Sequence, residues 1–523
     1  MTNLTDLLQI AEDRADGRPA LIYRDREIGH ADLAAESRRL ATGLSRLGIG
    51  KGDRVGFWLP NAPAYLAMFF ACARLGAIAM AVNTRYKSAE VADLVGRAGA
   101  TALIYWPDFK GIPFNDMLAE IDAAEVPDLK HLIVYSEEGA PVTSPLSGVE
   151  AVAYDDLAAS EEMTEDHADD SLGCAIFTTS GTTSKPKFVL HNQSSIADHG
   201  LQIADAFGWR AEGITHLIAV PYCGVFGLTQ VMGTIASGRT AVTMPYLDVP
   251  EAMRLMKAYR VTHTAGSDDM YNMMLEATDE PVPFPDFRCG IYASFNAALD
   301  DIVEQADARG MYLIGVYGMS EVQGLFCKWP DGASPAHRKR GGGIPIGKGA
   351  EHRVRDTETG KLLGVGEPGE LELKGPSLMM AYFRNPEATS KAMTDDGFIR
   401  TGDLAQLTDD GGFHYLSRMG DVLRLGGFLV APAEIEARVL EHPSVADVQV
   451  VGVTVGGRNR AVAFVLPEGA DFDEQAVVEH CQTGLAKYKV PARIVALDAF
   501  PVTQSANGVK IQKAKLRQMA EAL

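Results

Sequence analysis

Several features that would define a disulfide-stapled, disordered or nucleic-acid-binding protein are missing from this sequence. Its 523 residues include only six cysteines, which lie far apart and form neither a Cys-x-x-Cys pair nor a zinc-ligand spacing. We interpret them as reduced core thiols. Basic residues are scarce: 48 Lys and Arg stand against 69 Asp and Glu, and the net charge of −21 repels polyanions such as nucleic acid. With 46% hydrophobic and 22% charged residues, the composition excludes wholesale disorder and predicts an ordinary globular protein.

Targeting and membrane-spanning signals are also missing. The start, Met1 to Asp13, carries acids where a signal peptide has lysines, and Glu521 to Leu523 carry no lipidation or address signal. The most apolar stretch, Tyr65 to Val82, is interrupted by Arg74 and Gly76, so it predicts a buried helix running into a strand. We expect a cytoplasmic protein without an integral membrane segment.

What the sequence does contain is an alternation of apolar strands and helical segments. At roughly 150 residues per domain, its length fits about three to four units. Apolar or β-branched runs predict strands at Thr101–Tyr105, His131–Tyr135, Cys174–Thr178, His216–Val220, Thr240–Met244, Gly290–Ala293 and Tyr312–Val316. Helical periodicity lies between several of them, at Pro250–Tyr259 and Leu299–Ala308. This alternation predicts α/β layers around a largely parallel sheet, with the functional site beyond the carboxyl ends of the strands.

The pattern changes twice further along the chain. From about Gly341, short glycine-rich elements predict β-hairpins at Gly366–Lys374 and Gly397–Leu416. From Gly420 we predict a compact α+β unit with helices and strands at Ala433–Leu440, Val445–Val453, Ala461–Leu466, Asp473–Leu485 and Ile494–Leu497. We therefore expect a large N-terminal domain, 1–419, with a β-rich subdomain, and a small C-terminal domain, 420–523. The acidic, weakly periodic stretch Ser136–Glu165 is expected to be a surface excursion.

The segment from Ala175 to Lys187 carries the strongest chemical signal. An apolar strand that ends at Thr178 is followed there by five hydroxyl residues around one glycine, and then by Lys185 and Lys187. Hydroxyl and backbone N–H donors together with cations suit a polyphosphate. On composition alone a solvated Ser/Thr turn fits the segment better, and it does not have the Walker spacing.

Three further clusters follow. Val316 to Glu321 offer a tyrosine ring, a hydroxyl and a carboxylate, which can stack on a base, reach a phosphate and hold magnesium. Asp403 in a Thr-Gly-Asp turn and Arg418, fifteen residues later, can hold the hydroxyls of a ribose from two sides. Near the end, a glycine-containing loop brings Lys510 forward, where its charge can reach a reacting phosphate. Each cluster alone is more typical of an ordinary turn or an exposed lysine.

In this order and at this broad spacing, the four clusters together resemble the motifs of the adenylate-forming superfamily. That superfamily contains acyl-CoA synthetases, nonribosomal-peptide adenylation domains and beetle luciferases. The resemblance covers nearly the whole chain and includes further matches at Lys51–Val55, Pro60–Asn61, Gly366–Leu371, Gly426–Gly427 and Pro432–Glu436.

The resemblance implies an enzyme that activates a carboxylate with ATP, releases pyrophosphate and passes the acyl group to a thiol. The first cluster matches the loop that holds the β and γ phosphates, with predicted contacts at Thr179, Ser180, Gly181, Thr182, Thr183 and Lys187. In the second cluster, Tyr317 resembles the adenine-stacking residue and is flanked by Gly318 and Met319. Ser320 resembles the α-phosphate contact and Glu321 the magnesium ligand.

Asp403 and Arg418 match the ribose pair of the family. Lys510 matches the lysine that bridges the substrate carboxylate and the α-phosphate, although Gly508-Val509-Lys510 replaces the commoner Gly-Lys. The resemblance also implies that the C-terminal domain is a mobile lid with its hinge at Gly420, where glycine eases a backbone change. Gly426 and Gly427 match positions along the tunnel for the pantetheine arm of coenzyme A.

Departures from the family pattern bear on the substrate. Gly224 stands where relatives often carry histidine or an aromatic residue, which suggests a wider acyl pocket. Phe295-Asn296 stands where Gly-Gly is common, which adds bulk beside the adenine or the acyl group. The predicted acid pocket comprises Tyr222, Cys223, Gly224, Val225, Phe226 and Ser267. Its apolar members favour a fatty, alicyclic or aromatic acid over an amino acid.

Asp268 or Asp269 would change the substrate prediction if either faced the acid pocket. We interpret both as helix-capping acids after Ser267. His191, His199 and His263 lack a metal-ligand spacing and are expected to be structural.

The sequence thus predicts an AMP-forming acyl-CoA synthetase that uses ATP, Mg²⁺ and coenzyme A on a small-molecule carboxylic acid, without nucleic acid as a partner. A homodimer is left open. Two alternatives stand beside this function. One is an adenylating enzyme whose acceptor is a carrier protein or an oxygenase-type reaction, and the other is a catalytically silent acyl or nucleotide binder.

Overall fold

A computed structural model describes residues 1–179, 186–294, 299–425, 428–430, 432–455, 458–469, 472–485, 487–505 and 508–523. Its first strands are β1 (Pro19–Tyr23), β2 (Arg26–Gly29), β3 (Arg54–Trp58), β4 (Ile78–Ala81), β5 (Ala102–Tyr105), β6 (His131–Val134), β7 (Glu150–Ala153), β8 (Gly173–Thr178), β9 (Phe188–Asn192), β10 (Thr215–Ile218), β11 (Thr240–Thr243), β12 (His263–Ser267), β13 (Cys289–Ala293) and β14 (Leu313–Met319). The remaining strands are β15 (Gln323–Lys328), β16 (Gly342–Pro345), β17 (Glu351–Arg355), β18 (Gly369–Lys374), β19 (Ala381–Tyr382), β20 (Ile399–Leu407), β21 (Phe413–Arg418), β22 (Leu423–Leu425), β23 (Phe428–Val430), β24 (Val445–Val455), β25 (Arg458–Pro467), β26 (Arg493–Ala496), β27 (Val502–Ser505) and β28 (Gly508–Ile511).

The helices alternate with these strands, as the sequence pattern predicts for an α/β protein. They are α1 (Leu4–Ala15), α2 (His30–Arg46), α3 (Pro63–Leu75), α4 (Ser88–Ala98), α5 (Phe114–Ala119), α6 (Tyr154–Ala158), α7 (Gln193–Ala206), α8 (Val225–Ala236), α9 (Val249–Ala258), α10 (Asp268–Glu276), α11 (Ile302–Ala308), α12 (Pro335–Arg338), α13 (Pro386–Ala392), α14 (Pro432–Leu440), α15 (Glu474–Gly484) and α16 (Lys513–Glu521).

Two large sheets build the N-terminal part of the chain. Among the described residues, one sheet has the strand order β19-β9-β8-β4-β3-β5-β6-β7 and the other β17-β18-β20-β21-β16-β15-β14-β13-β12-β10-β11-β1-β2. Strands β4, β3, β5 and β6 run parallel in the first sheet, and β11, β10, β12, β13 and β14 run parallel in the second. The parallel half of each sheet ends its strands at a common edge. The antiparallel strands β15 to β18, β20 and β21 extend the second sheet, whereas β19 lies at the edge of the first.

Two apolar helices, α3 and α8, join these sheets. All of α3 except Pro63 and Arg74 is buried, and all of α8 except Val225 is buried. Both helices belong to one hydrophobic cluster with strands of both sheets. A helix that is apolar all round is stable only inside a protein, so the expectation of a buried helix followed by a strand at Tyr65–Val82 is confirmed. Within the described residues, no helix has the length and apolar character needed to cross a membrane.

The C-terminal domain is a small α+β unit. Its sheet has the order β24-β25-β26, with two hairpins, β22-β23 and β27-β28, beside it. One face of the sheet packs with α14 and α15 and the other with α16. The predicted fold class, a large layered N-terminal domain and a smaller C-terminal α+β domain, is confirmed.

Two local expectations are corrected. The stretch Ser136–Glu165 is more than a surface excursion, since it contains β7, an edge strand of the first sheet, and α6, whose Leu157 packs on Gly43 of α2. Strand β7 is concealed in the sequence because it is only four residues long, Glu-Ala-Val-Ala, and lies within an otherwise acidic stretch; short, partly covered strands of this kind are common at sheet edges. Gly366–Lys374 is also not a hairpin by itself, because its strand β18 pairs with β17 on one side and β20 on the other.

Candidate functional site

The predicted phosphate loop leaves and re-enters the first sheet at one point. Strands β8 and β9 are antiparallel, and beyond them the Thr179 amide donates to the Lys187 carbonyl at 3.1 Å. The Lys187 amide in turn donates to the Thr179 hydroxyl at 3.3 Å. The ends of the loop are thereby fixed, while Ser180, Gly181, Thr182 and Thr183 lie outside the described residues. So do Phe295, Asn296, Gly426 and Gly427, and for Lys510 only the backbone in β28 is described.

The predicted adenine and ribose residues form one connected group. Strands β20 and β21 place Asp403 directly opposite Arg418, with Arg418 Nε 3.1 Å from Asp403 Oδ1. The Tyr317 hydroxyl, from the end of β14, donates to Asp403 Oδ2. The Tyr317 ring packs against Phe413 and Tyr415. The end of β14 and the β20-β21 hairpin, whose Tyr317 and Asp403 are 86 residues apart in sequence, thus meet at one carboxylate.

The environment of Asp403 sets its protonation. Only 2% of the residue is exposed, and this burial raises the pKa of Asp403 to about 6, although the Arg418 guanidinium and the Tyr317 hydrogen bond act to lower it. Glu321 adds to the rise in the pKa of Asp403, because its negative charge lies nearby. The same charge contributes to the raised pKa of Arg418. The predicted magnesium ligand therefore lies within electrostatic reach of the predicted ribose pair.

Glu321 is itself a buried carboxylate, with 6% of the residue exposed. The Tyr382 hydroxyl donates to Glu321 Oε1 at 2.8 Å, and the Met379 amide donates to the Glu321 carbonyl at 2.7 Å. The sequence reasoning missed Tyr382. Its signal is weak, because the residue lies on a two-residue strand, β19, that no periodicity marks.

The turn that carries Ser320 and Glu321 is held by side chains near the start of α7. His191 Nε2 lies 2.7 Å from the Ser320 carbonyl and His199 Nε2 lies 2.7 Å from the Gly324 carbonyl. A carbonyl only accepts, so both histidines carry the proton on Nε2. Burial lowers the pKa of each to about 4, which keeps both neutral. The geometry agrees with a structural role for them.

The turn is also strained and fixed from a second side. Gln323 has a φ of 68° and Leu325 a φ of 57°, in the left-handed region that non-glycine residues rarely adopt. The Gln323 side-chain amide donates to the Ser195 carbonyl at 2.6 Å. Strain of this kind persists only where the surroundings fix the backbone, so the start of β15, directly after the turn, is held in place.

The predicted acid pocket follows β10. The Tyr222 phenol is fully buried and donates to the Thr243 hydroxyl at 2.8 Å, so it faces the core. Asn61 fixes this segment, since it accepts from the Tyr222 amide at 2.7 Å and donates to the Val220 carbonyl at 3.0 Å. The sequence singled out Asn61 only as a motif residue, and this pair of hydrogen bonds gives it a physical role.

The remaining pocket residues lie at the start of α8 and at the end of β12. Gly224 caps α8, Cys223 and Val225 are half-buried, and Phe226 lies against Gly324, next to the strained turn. Ser267 caps α10 by accepting from the Met270 amide at 3.2 Å, as the sequence indicates. The acid-pocket segment and the Glu321 turn are thus neighbours.

Among the described residues, no group of three or more His, Cys, Asp or Glu side chains could hold a metal ion by itself. A divalent cation at Glu321 would need further ligands. Mg²⁺ fits that donor set, because it is usually bound by one or two carboxylates together with substrate phosphates and water.

Comparisons with known proteins agree with this geometry. The family model described as AMP-binding enzyme matches residues 8–383, and the model described as AMP-binding enzyme C-terminal domain matches residues 434–507. The chain belongs to the AMP-binding enzyme family. The predicted superfamily and the predicted ligase class are confirmed.

Individual relatives cover nearly the whole chain. A putative acyl-CoA synthetase, YngI of Bacillus subtilis, is 29% identical over 98% of this chain and 96% of its own. The long-chain-fatty-acid–CoA ligase FadD13 of Mycobacterium tuberculosis is 29% identical over 95% and 94%. Among solved structures, O-succinylbenzoate coenzyme A synthetase MenE of Bacillus subtilis, in complex with ATP and a magnesium ion, has a TM-score of 0.81 at 25% identity, covering 98% of both chains.

Proposed function

We propose that this protein is an ATP-dependent, AMP-forming acyl-CoA synthetase that activates an apolar carboxylic acid and transfers its acyl group to coenzyme A. The observation that carries the proposal is the meeting of Tyr317, Asp403, Arg418 and Glu321, which joins the candidate base, ribose and metal contacts in one place. The ATP complex of MenE and the synthetase relatives support it.

In the first half-reaction a carboxylate oxygen of the acid attacks the α-phosphorus of ATP, and pyrophosphate leaves. Both reactants are anions, so positioned cations and hydrogen-bond donors must offset the charge on the phosphoryl oxygens. We assign this role to Lys510, to the phosphate loop ending at Lys187, and to Ser320. Asp403 would accept from the ribose hydroxyls while Arg418 donates from the other side.

Glu321 is the residue that would hold Mg²⁺. When bound, the ion would neutralise charge on the phosphate oxygens. The buried carboxylate fits this role, since the Tyr382 hydroxyl holds one of its oxygens and the Met379 amide holds its backbone carbonyl.

In the second half-reaction the coenzyme A thiol attacks the acyl carbonyl and AMP leaves. This step needs protein groups around the carbonyl that differ from those of the first step. We assign the path of the coenzyme A thiol to Gly426 and Gly427. The apolar side chains Cys223, Val225 and Phe226 favour a fatty, alicyclic or aromatic acid. The relative FadD13, a long-chain-fatty-acid–CoA ligase, supports this substrate class.

The experiment is a panel of carboxylic acids tested for pyrophosphate release with ATP and Mg²⁺, with and without coenzyme A. Hexanoate, cyclohexanecarboxylate and benzoate represent the proposed class, and malonate and glycine serve as polar controls. We expect release with at least one apolar acid and its conversion to a thioester when coenzyme A is added.

Each other outcome contradicts a defined part of the proposal. Release that coenzyme A never carries to a thioester would indicate a carrier-protein acceptor or an oxygenase-type reaction. Preference for malonate or glycine would refute the apolar substrate. Absence of release with every acid would favour a catalytically silent binder.

Nucleotide affinity is expected to depend on Asp403. The carboxylate is the form that accepts from ribose, and its pKa of about 6 means that affinity falls as the pH decreases through 6. At pH 5 about nine-tenths of the Asp403 carboxyl is protonated, so we expect the affinity for ATP to be roughly tenfold weaker than at pH 7.5. Calorimetric titration with ATP across this range measures the effect.

Asp403→Asn is the matched control. The phosphates of ATP titrate in the same range, and the ratio of wild-type to variant affinity removes that contribution. The ratio should decrease toward one as the pH falls. A ratio that stays constant from pH 7.5 to 5 would show that Asp403 does not titrate against the nucleotide.

A further inference from the structure

Tyr382 connects the two predicted phosphate-binding elements of the site. Its hydroxyl donates to Glu321 Oε1 at 2.8 Å, and Lys187 Nζ lies 4.6 Å from the centre of its ring. A cation at that distance from an aromatic ring is attracted by the electron density of its face. One side chain thus contacts the candidate magnesium ligand through its polar end and the last residue of the phosphate loop through its ring.

The backbone around Tyr382 joins the same two elements. We call residues 379–383 the tyrosine strap. Its strand β19 pairs with β9, directly after the phosphate loop, and the Phe383 amide donates to the Phe188 carbonyl at 2.7 Å. At its other end, the Met379 amide donates to the Glu321 carbonyl at 2.7 Å. The strap therefore ties the edge of the first sheet to the turn at the end of β14.

Because Tyr382 and Glu321 are both buried, the hydrogen bond between them decides how the Glu321 carboxylate is oriented. Tyr382 is 5% exposed and Glu321 is 6% exposed, so water does little to orient the carboxylate. A buried carboxylate is costly unless hydrogen-bonded, and the phenol supplies a hydrogen bond of ordinary length to it. With one oxygen held on a fixed phenol, the carboxylate has a defined orientation toward a cation.

We propose that Tyr382 is a positioning residue that orients Glu321 for a divalent cation through its hydroxyl and holds Lys187 at the phosphate loop through its ring. This inference rests on the proposed function, since it assigns a task to Tyr382 at the same nucleotide site. It predicts that the hydroxyl and the ring can be separated by mutation.

The test compares Tyr382→Phe, which removes only the hydroxyl, with Tyr382→Leu, which removes the ring as well. Binding of Mn²⁺ in the presence of ATP and without acid is measured by the paramagnetic resonance signal of free Mn²⁺. Loss of one charge-assisted hydrogen bond predicts about a tenfold weaker Mn²⁺ affinity in Tyr382→Phe. Tyr382→Leu should in addition weaken ATP binding, measured by calorimetry, by about threefold relative to Tyr382→Phe.

Tyr105→Phe is the matched control, because the hydroxyl of Tyr105, in β5, also donates to a side-chain oxygen, that of Asn115 in α5, at 2.8 Å. Tyr105→Phe should lower thermal stability by about as much as Tyr382→Phe does, and it should leave the Mn²⁺ affinity unchanged. In a Glu321→Gln background, adding Tyr382→Phe should cause no further loss of Mn²⁺ affinity.

Two failures are distinguishable. If the wild-type protein binds neither ATP nor Mn²⁺ with ATP, the proposed function is wrong and this inference falls with it. If the wild type binds both and Tyr382→Phe matches it within twofold while folding normally, only the role of Tyr382 is refuted.

Discussion

Replacing Lys510 by alanine is expected to abolish most of the adenylation activity and to leave thioester formation from a supplied acyl-adenylate nearly intact. A positioned charge on a developing phosphoryl transition state is worth about 10²–10³-fold in rate. Once the adenylate exists, charge no longer accumulates at the phosphorus, so the second step does not need this lysine. Adenylation is measured by acid-dependent exchange of pyrophosphate into ATP, and the second step by thioester formation from synthetic acyl-adenylate.

The controls address the position of the lysine in its loop. Lys510 lies on β28, where it pairs with Thr503 of β27, and α16 follows with two more lysines. Lys515→Ala removes an exposed lysine of α16 and should change neither step. Lys513→Ala removes the ion pair with Glu436, at 3.3 Å. If Lys513→Ala rather than Lys510→Ala separates the two steps, the family register has been misplaced; equal losses in both steps for Lys510→Ala would refute its assigned role.

The parts of this site that sequence predicted are those encoded locally. β14 is recognisable from its apolar run. Tyr317 lies near its end and Glu321 two residues beyond it, so their placement at the end of a strand could be expected. Asp403 lies within the predicted hairpin Gly397–Leu416 and Arg418 just beyond it, and their register across β20 and β21 follows from the pairing of these strands. Helix α3 was predictable because nearly every one of its residues is apolar.

The connections between elements could not be read in this way. Tyr382 is 61 residues from Glu321 and 195 from Lys187. Its contacts with them depend on how the two sheets meet, and such contacts produce no periodic pattern in the sequence. The direction in which a side chain points could not be predicted from the sequence either. Tyr222 was expected to line the acid pocket, whereas its phenol bonds Thr243 in the core. Strand β7 could not be predicted because its four residues, Glu-Ala-Val-Ala, are too few to show a period within an acidic stretch.

A proline at position 420 is expected to spare adenylation and to block thioester formation. We propose that the domains meet here, with 1–419 on one side and 420–523 on the other. The Met419 amide donates to the Gly402 carbonyl at 2.7 Å, whereas Arg517 of α16 donates to the Gly420 carbonyl at 2.6 Å and pairs with Asp421. Gly420 thus lies where bonding to the large domain gives way to bonding to the C-terminal helix, which suits a hinge.

Proline fixes φ near −65° and restricts the residue before it, so a hinge carrying proline loses the backbone change that exchanges the two sets of catalytic groups. A misplaced lid costs about 10²-fold or more in the thioester step, measured with the acyl-adenylate supplied. Gly420→Ala is the matched control: an added Cβ meets no atom within 4 Å, and both rates should stay within about twofold. Retention of both rates in Gly420→Pro would place the hinge elsewhere. Equal loss of both would show that the proline disturbs Arg418 and the ribose site, because the Asp421 amide donates to the Arg418 carbonyl at 2.9 Å.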